Sequence, residues 1–310
     1  MRYGLSLAGL ALLTLISLLV GVIDLRQDAD AVAVLLISRV PRTLAVVIAG
    51  SGLAIAGAIM QMLVRNRFVE PMTAGTGQGA ALGILIAILF FPSASVLVKM
   101  AVASGTALVA SLGFLAMVRR LPPTQPLLVP LVGLIYGGLL GATVTFVAYQ
   151  ADLLQYIEVW MNGEFSGVLQ GRYELLWIAA GVAALTYLVA DQFSIVGMGE
   201  TISTSLGLNY QQVMLMGLAA IAIVSALTVV TVGALPFVGL VVPNIVSRMY
   251  GDHLRSTLPL MAIWGAGVVL LSDILGRLVR FPFEIPAGTV FGILGTLLFL
   301  YLLYAQPRRV

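Results

Sequence analysis

Ten apolar runs separated by short polar breaks leave this chain little to fold into except a bundle of membrane-crossing helices. They lie at about 5–23, 41–64, 74–91, 95–118, 127–148, 174–190, 212–232, 238–250, 257–276 and 286–305. Most approach the ~20 residues a helix needs to cross a ~30 Å hydrocarbon layer. Charged residues make up only 9% of the chain, against about 25% in soluble domains, so a water-soluble core is excluded. The expected fold is an all-α polytopic membrane protein, one domain over 1–310 with about ten transmembrane helices. The first run follows Met1–Tyr3 as a signal peptide would, but about 20 apolar residues without a small-x-small cleavage site fit a first span better.

Ten spans place both termini on one side. If that side is the cytoplasm, the pairs Arg65/Arg67, Arg119/Arg120 and Arg308/Arg309 follow even-numbered runs and fall inside, as the positive-inside rule asks. The polar break Asp191–Tyr210, DQFSIVGMGETISTSLGLNY, is then cytoplasmic, and the coupling segment 191–211 spans it. Gly197 and Gly199 loosen its backbone, Glu200 to Leu206 have room for about two helical turns, and Gly207 supplies a stop that tolerates positive φ. Ile202 and Leu206 share a face at i, i+4, while Thr201, Ser203, Thr204 and Ser205 bring hydroxyls instead of charge. The segment is either a docking piece or a neutral connector.

Energy for transport has no visible source in the chain itself. Its 13 acidic residues, Glu70, Asp273 and Glu284 among them, fall in loops or near span ends, whereas ion-coupled carriers need ionisable groups at depth. The one lysine, Lys99 in SASVLVKM, belongs to no GxxxxGK[ST] loop, and HExxH and GxSxG are missing. Cysteine is absent and His253 is the only histidine, which leaves no thiolate or histidine cluster for a metal or haem. The net charge of +3 is spread over loops and gives no footprint for nucleic acid.

Several stretches read as membrane architecture. Gly75-Gly79-Gly83 and Gly133-Gly137-Gly141 form small-residue stripes for close helix approach, with gating as the alternative. Leu153, Ile157 and Trp160 line one face of an interfacial helix, and Tyr149, Tyr156 and Tyr173 suit an aromatic belt. Pro236 and Pro243, flanked by Gly233 and Gly239, predict a re-entrant turn or half-helix near Pro236 before a short span. Arg39 and Arg42 open the second run against the helix dipole, a mismatch of about 0.3–1 kcal/mol per exposed charge that something must offset. Arg277 and Arg280 close the ninth run, where cations are favoured, and Arg277 is placed to pair with Asp273 at i, i+4. The four arginines are either snorkelling anchors or a basic rim for acidic knobs of an extracytoplasmic partner.

The stretches SRVPRTLAVVIAGSGLAIAGAIMQMLVRNRFVEPMTAGTGQGAALG (38–83) and GALPFVGLVVPNIVSRMYGDHLRSTLPL (233–260), with LLSDILGRLVR and EIPAGTVFGILGTLLFLYLL, resemble the permease family of bacterial ATP-binding cassette importers for iron-siderophores, haem and cobalamin. The resemblance implies a permease subunit in the bacterial inner membrane that acts without catalytic residues or cofactors of its own. Two cytoplasmic ATPase subunits would bind ATP and Mg and drive it. A second permease, identical or paralogous, would complete the pathway, and an extracytoplasmic binding protein would deliver cargo. By position, Gly199 to Leu208 matches the family's coupling helix, which makes Gly199, Glu200, Thr201, Ile202, Ser203, Leu206 and Gly207 the ATPase-coupling residues. Arg39 and Arg42, with Arg277 or Arg280, match arginines that meet glutamates of the binding protein. The fifth and tenth spans would line the path, putting Gly133, Tyr136 and Thr296 near cargo. Pro243-Asn244 stands where the family often has Pro-His, and NRFVEP (66–71) where it often has NPLADP. These variants look most like permeases for ferric catecholate-type siderophores, with haem or cobalamin as alternative cargo. A stand-alone carrier or facilitator is the rival from another class.

Overall fold

The computed structural model describes residues 2–21, 31–118, 120–121 and 128–304. Asp24, Arg26, Asp28, Asp30, Arg119, Arg308 and Arg309 lie outside the described residues. Every predicted apolar run is helical. In chain order, α1 (Arg2–Leu19) precedes a short α2 (Ala31–Val34) that passes through a π-helical turn, Leu35–Arg39, into α3 (Val40–Val64). A 3₁₀ turn, Pro71–Ala74, leads into α4 (Thr76–Phe90), and α5 (Val96–Val118) and α6 (Leu128–Gln150) follow. Then come the amphipathic α7 (Leu154–Met161), the pair α8 (Leu175–Leu188) and α9 (Ala190–Val196), and α10 (Glu200–Ser205). The chain closes with α11 (Tyr210–Val232), α12 (Val238–Tyr250), α13 (Leu254–Val279) and α14 (Ala287–Tyr304).

Length separates these helices. Six are long and apolar enough to cross a membrane: Val32–Val64, α5, α6, α11, α13 and α14. Counting α8 and α9 as one span, bent by 68°, makes seven. α1 and α4 are apolar but shorter. At ~1.5 Å per residue, the 15 residues of α4 and the 13 of α12 span about 22 and 20 Å, less than a hydrocarbon core. Their shortness has a local cause, because both begin inside the bundle. The connection between α3 and α4 and the turn at 233–237 meet where Phe237 N donates to Glu70 Oε1 at 3.2 Å. The start of α12 lies directly on α3: a Cβ added to Gly57 would sit 1.9 Å from Gly239 O.

The predicted break near Pro236 is a non-helical turn between Gly233 (φ 78°) and Phe237 (φ 67°). Pro243, by contrast, lies within continuous helix. Proline removes the N–H that would bond Gly239 O one turn back, and Gln61 Nε2 of α3 supplies a donor to that carbonyl at 3.1 Å.

α3 is the central post. It packs against α13, α11, α12 and α8, and 78% of its most apolar window is buried. Small residues permit this closeness, since a Cβ on Gly50 would lie 2.4 Å from Gly265 O of α13. The stripe on α4 behaves likewise: Cβ atoms on Gly79 and Gly83 would strike Ala110 and Thr106 of α5 at 2.5 and 1.9 Å. Gly137 and Gly141 of α6 face Gln78 more loosely, at 3.9 and 3.6 Å. Asn209 Oδ1 caps α11 through Gln212 N at 3.1 Å, and His253 Nδ1 caps α13 through Ser256 N at 3.4 Å. Of the six long spans α6 and α14 are the least covered, each with 22% of an apolar 18-residue stretch buried, and among the described residues of α1 only Ser17 is buried.

Candidate functional site

The four sequence-predicted arginines gather at the N-terminal end of α3, but in different environments. Arg39 is buried, and its Nη1 donates to Leu18 O and Leu19 O at 2.9 and 3.1 Å. Arg277 is also buried and donates to Ser17 O, Val20 O and Ser17 Oγ at 2.8–3.0 Å. The carbonyls at the end of α1 have no partners within their own helix, so two arginines satisfy them and meet the negative end of the dipole. That is the offset Arg39 required. Burial removes Arg39 and Arg277 from the surface that a basic rim would present.

Arg42 is held from two sides. Its Nε and Nη2 donate to Asp273 Oδ1 at 3.2 and 2.7 Å, and Nη1 donates to Glu284 Oε1 at 3.0 Å. Asp273 Oδ2 also lies 2.7 Å from Arg277 Nη2, the i, i+4 pair read from sequence. Arg280 is exposed, with its guanidinium 5.7 Å from the centre of the Phe283 ring. Asp273, expected near a span end, is 1% exposed inside α13, which runs three residues beyond the predicted boundary. Glu284 was missed as a site residue. Its only signal was an acidic residue just before Pro286 and the start of α14.

Near the other end of α3, α10 packs on α9 and α11, and Gly199 just before it approaches Arg65. Gly199 adopts φ 117°, and a Cβ there would fall 2.5 Å from Arg65 Nη2, so both conformation and space require glycine. Ser203 is fully buried and donates to Gly199 O at 2.6 Å. Thr204 and Ser205 donate to Glu200 O and Thr201 O at 2.8 Å each. These hydroxyls are used within the segment. The outward face is apolar: Ile202 is 46% and Leu206 61% exposed, with Met198 beside them at 59%. Glu200, Thr201 and Gly207 (φ 81°) are exposed at its rim. Asp191 and Arg255 form an ion pair that ties α9 to α13.

Between these ends an open cavity of about 650 Å³ runs along α14, lined by Asn162, Pro236, Phe237, Thr289, Gly292 and Thr296 among others, and no charged side chain lines it. Thr296 faces this space. Gly133 and Tyr136 turn into the bundle instead, with Tyr136 Oη donating to Ala110 O at 2.9 Å. Beneath the cavity Phe237 stacks on Phe299, which meets Phe68 edge-on. Glu70 is buried behind this cluster. Burial raises its carboxyl to about 7, while backbone donors at Phe237 and Leu240 pull the other way.

The model of the FecCD transport family matches residues 7–305. This chain belongs to the FecCD transport family. It is thus a multi-pass transport protein of the cell membrane. The FecCD chain is 44% identical over 303 residues to the petrobactin import system permease protein YclN of Bacillus subtilis (strain 168), with 95% of each chain covered. It is 44% identical over 263 residues to the ferric-anguibactin transport system permease protein FatD of Vibrio anguillarum, covering 85% of this chain and 84% of that one. A solved structure described as an inward-facing ABC transporter of metal-chelate type superposes with a TM-score of 0.85 at 25% identity, covering 98% of both chains.

Proposed function

We propose that this chain is the permease subunit of an ATP-driven importer that carries a ferric siderophore across the bacterial inner membrane. Its ten apolar helices all cross the bilayer, and both termini are cytoplasmic. Relatives named for petrobactin and ferric-anguibactin support the cargo class. The observation that carries the reading is the apolar face of α10. Ile202 and Leu206 are exposed, while Ser203 fastens their helix to Ile195 O of α9 and Gly199 lies against Arg65 at the end of α3. A short helix fixed at its base and apolar at its tip suits the groove of a cytoplasmic ATPase. Closure of two such ATPases would push α10 and, through α3, shift the bundle between outward-open and inward-open states.

The remaining features take their places around that motion. The sparsely covered α6 and α14 pack against a second permease, identical or paralogous, and enclose the pathway with its uncharged wall at Thr296. Arg42 and Arg280, the two accessible arginines, receive acidic side chains of an extracytoplasmic binding protein. ATP and Mg bind the ATPase subunits. Co-purification in mild detergent tests the reading: an ATPase should accompany the wild-type chain and be lost from Leu206→Asp. A chain that emerges alone and moves ferric siderophore in ATP-free liposomes would overturn it in favour of a facilitator.

A further inference from the structure

We propose that Glu284 is an internal placeholder for the binding protein's acidic side chain, occupying the outward edge of Arg42 until docking displaces it. The inference rests on the docking reading above and adds how that site is regulated. A guanidinium offers two edges for bidentate pairing. Arg42 turns one toward Asp273, which is 1% exposed, and holds Glu284 with the rest, Nη2 lying 2.9 Å from Glu284 Oε2. Glu284 is 31% exposed and Arg42 14%. Asp273 cannot leave without opening the packing of α13, whereas Glu284 can rotate into water at little cost.

The geometry favours an exchange. Among the described residues, four cations (Arg39, Arg42, Arg277, Arg280) share this end of the bundle with two carboxylates (Asp273, Glu284). An incoming glutamate or aspartate meets an arginine already oriented by Asp273 and needs only to replace Glu284. Docking then trades one ion pair for another instead of adding one.

The trade reaches the pathway. Glu284 sits in the seven-residue connection, 280–286, which joins α13 to α14. Its bond to Arg42 straps that connection to α3. Releasing it removes one tie at the start of α14, beside those of Ile285 N to Gly276 O at 3.0 Å and Gly288 N to Gly163 O at 2.7 Å, and Thr289, Gly292 and Thr296 of that helix line the cavity. Occupancy by the binding protein is thereby read by a pathway helix.

The test uses the intact permease–ATPase complex in lipid nanodiscs, titrated with the binding protein that co-purifies with it at several ionic strengths. Glu284→Gln removes the competing charge and keeps the side-chain shape. Its docking should tighten by roughly fivefold, the worth of one partly exposed ion pair, with a steeper salt dependence than wild type and a higher ATPase rate before docking. Glu284→Asp keeps the charge with a shorter reach and should fall between the two. Docking by Glu284→Gln that is unchanged or weaker, while Arg42→Glu still abolishes it, overturns the placeholder and leaves the docking site intact. Docking that is indifferent to Arg42→Glu and Arg280→Glu alike overturns the docking reading itself.

Discussion

Arg42 and Asp273, 231 positions apart in the chain, are joined by two hydrogen bonds from one guanidinium to one carboxylate oxygen. This contact fixes the first turn of α3 against the last turns of α13, and it places a single anion between two arginines. Among the described residues, Asp273 is the only carboxylate that pairs with both Arg42 and Arg277, and it has essentially no exposure to water.

Removing that anion should be expensive. Asp273→Asn leaves two guanidinium groups in low-dielectric surroundings with one weak acceptor between them. Breaking a buried pair in this way typically costs about 3–5 kcal/mol. We expect a large drop in the thermal midpoint of the detergent-purified protein, or loss from the membrane fraction. Arg280→Ala, which removes an exposed cation beside Phe283, should shift it by less than about 1 kcal/mol. Equal effects of the two would show that Asp273 is not the keystone of the cluster.

Glycine positions predict opposite signs from the same substitution. In Gly57→Ala the new methyl meets Gly239 backbone at 1.9 Å, where nothing flexible can yield, and overpacking of this kind costs about 1–3 kcal/mol. Gly105, in the middle of α5, has open space where its Cβ would go. Gly105→Ala should stabilise by up to about 1 kcal/mol through helix propensity. Thermal denaturation of both variants checks the pair, and matching signs would contradict the helix contacts described.

The sequence disclosed the helices better than it disclosed their depths. All ten apolar runs are helical, and Gly207 takes the positive φ expected of the stop, while Gly199, read only as loosening the backbone, takes one too. Hydropathy is a one-dimensional average, so a charged residue near the end of an apolar run reads as interfacial. Asp273 and Arg277 were placed that way. α13 instead continues to Val279 and turns both residues toward α1 and α3, where paired charge and free helix carbonyls make burial tolerable. Glu70 escaped for a related reason. Its connection folds back to the start of α12, a contact across 167 positions that no local pattern encodes. Gly133 and Tyr136 were assigned to the path by the family resemblance, and within this chain they face the bundle, with Tyr136 Oη on Ala110 O.

Glu70 predicts a pH dependence of stability. A carboxyl raised in the folded state from 4.5 to about 7 binds more protons there than in the unfolded chain between those values. Stability therefore falls as pH rises from about 4.5 to 7 and levels off above, by roughly 3 kcal/mol for this group alone. Glu70→Gln should flatten that part of the profile and be more stable than wild type, relative to their difference at pH 5, when both are melted at pH 8. Parallel profiles for the two proteins would mean that the buried carboxyl does not hold its proton.

The face of α10 separates a coupling role from a structural one. Ile202 and Leu206 contribute little to the packing of this chain because they point outward, whereas Ser203 is enclosed and donates to Gly199 O and Ile195 O. Leu206→Asp should leave the thermal midpoint within about 0.5 kcal/mol of wild type, the usual range for an exposed site. It should nonetheless abolish ATP-driven uptake in proteoliposomes, because a charge cannot enter the apolar contact with the ATPase without large desolvation. Ser203→Ala should do the reverse in milder form, lowering stability by about 1 kcal/mol through loss of the one hydroxyl donor that Gly199 O and Ile195 O share, while uptake survives in the molecules that remain folded. The mechanism requires this crossing of effects. α3 carries Arg42 near one end and packs near the other on α9, which in turn packs on α10, so under the proposed reading a push at Leu206 would reach the helix that holds Arg42. If Leu206→Asp lowered stability as much as it lowered transport, α10 would be part of the core, and the connection from ATPase to α3 would have to run elsewhere.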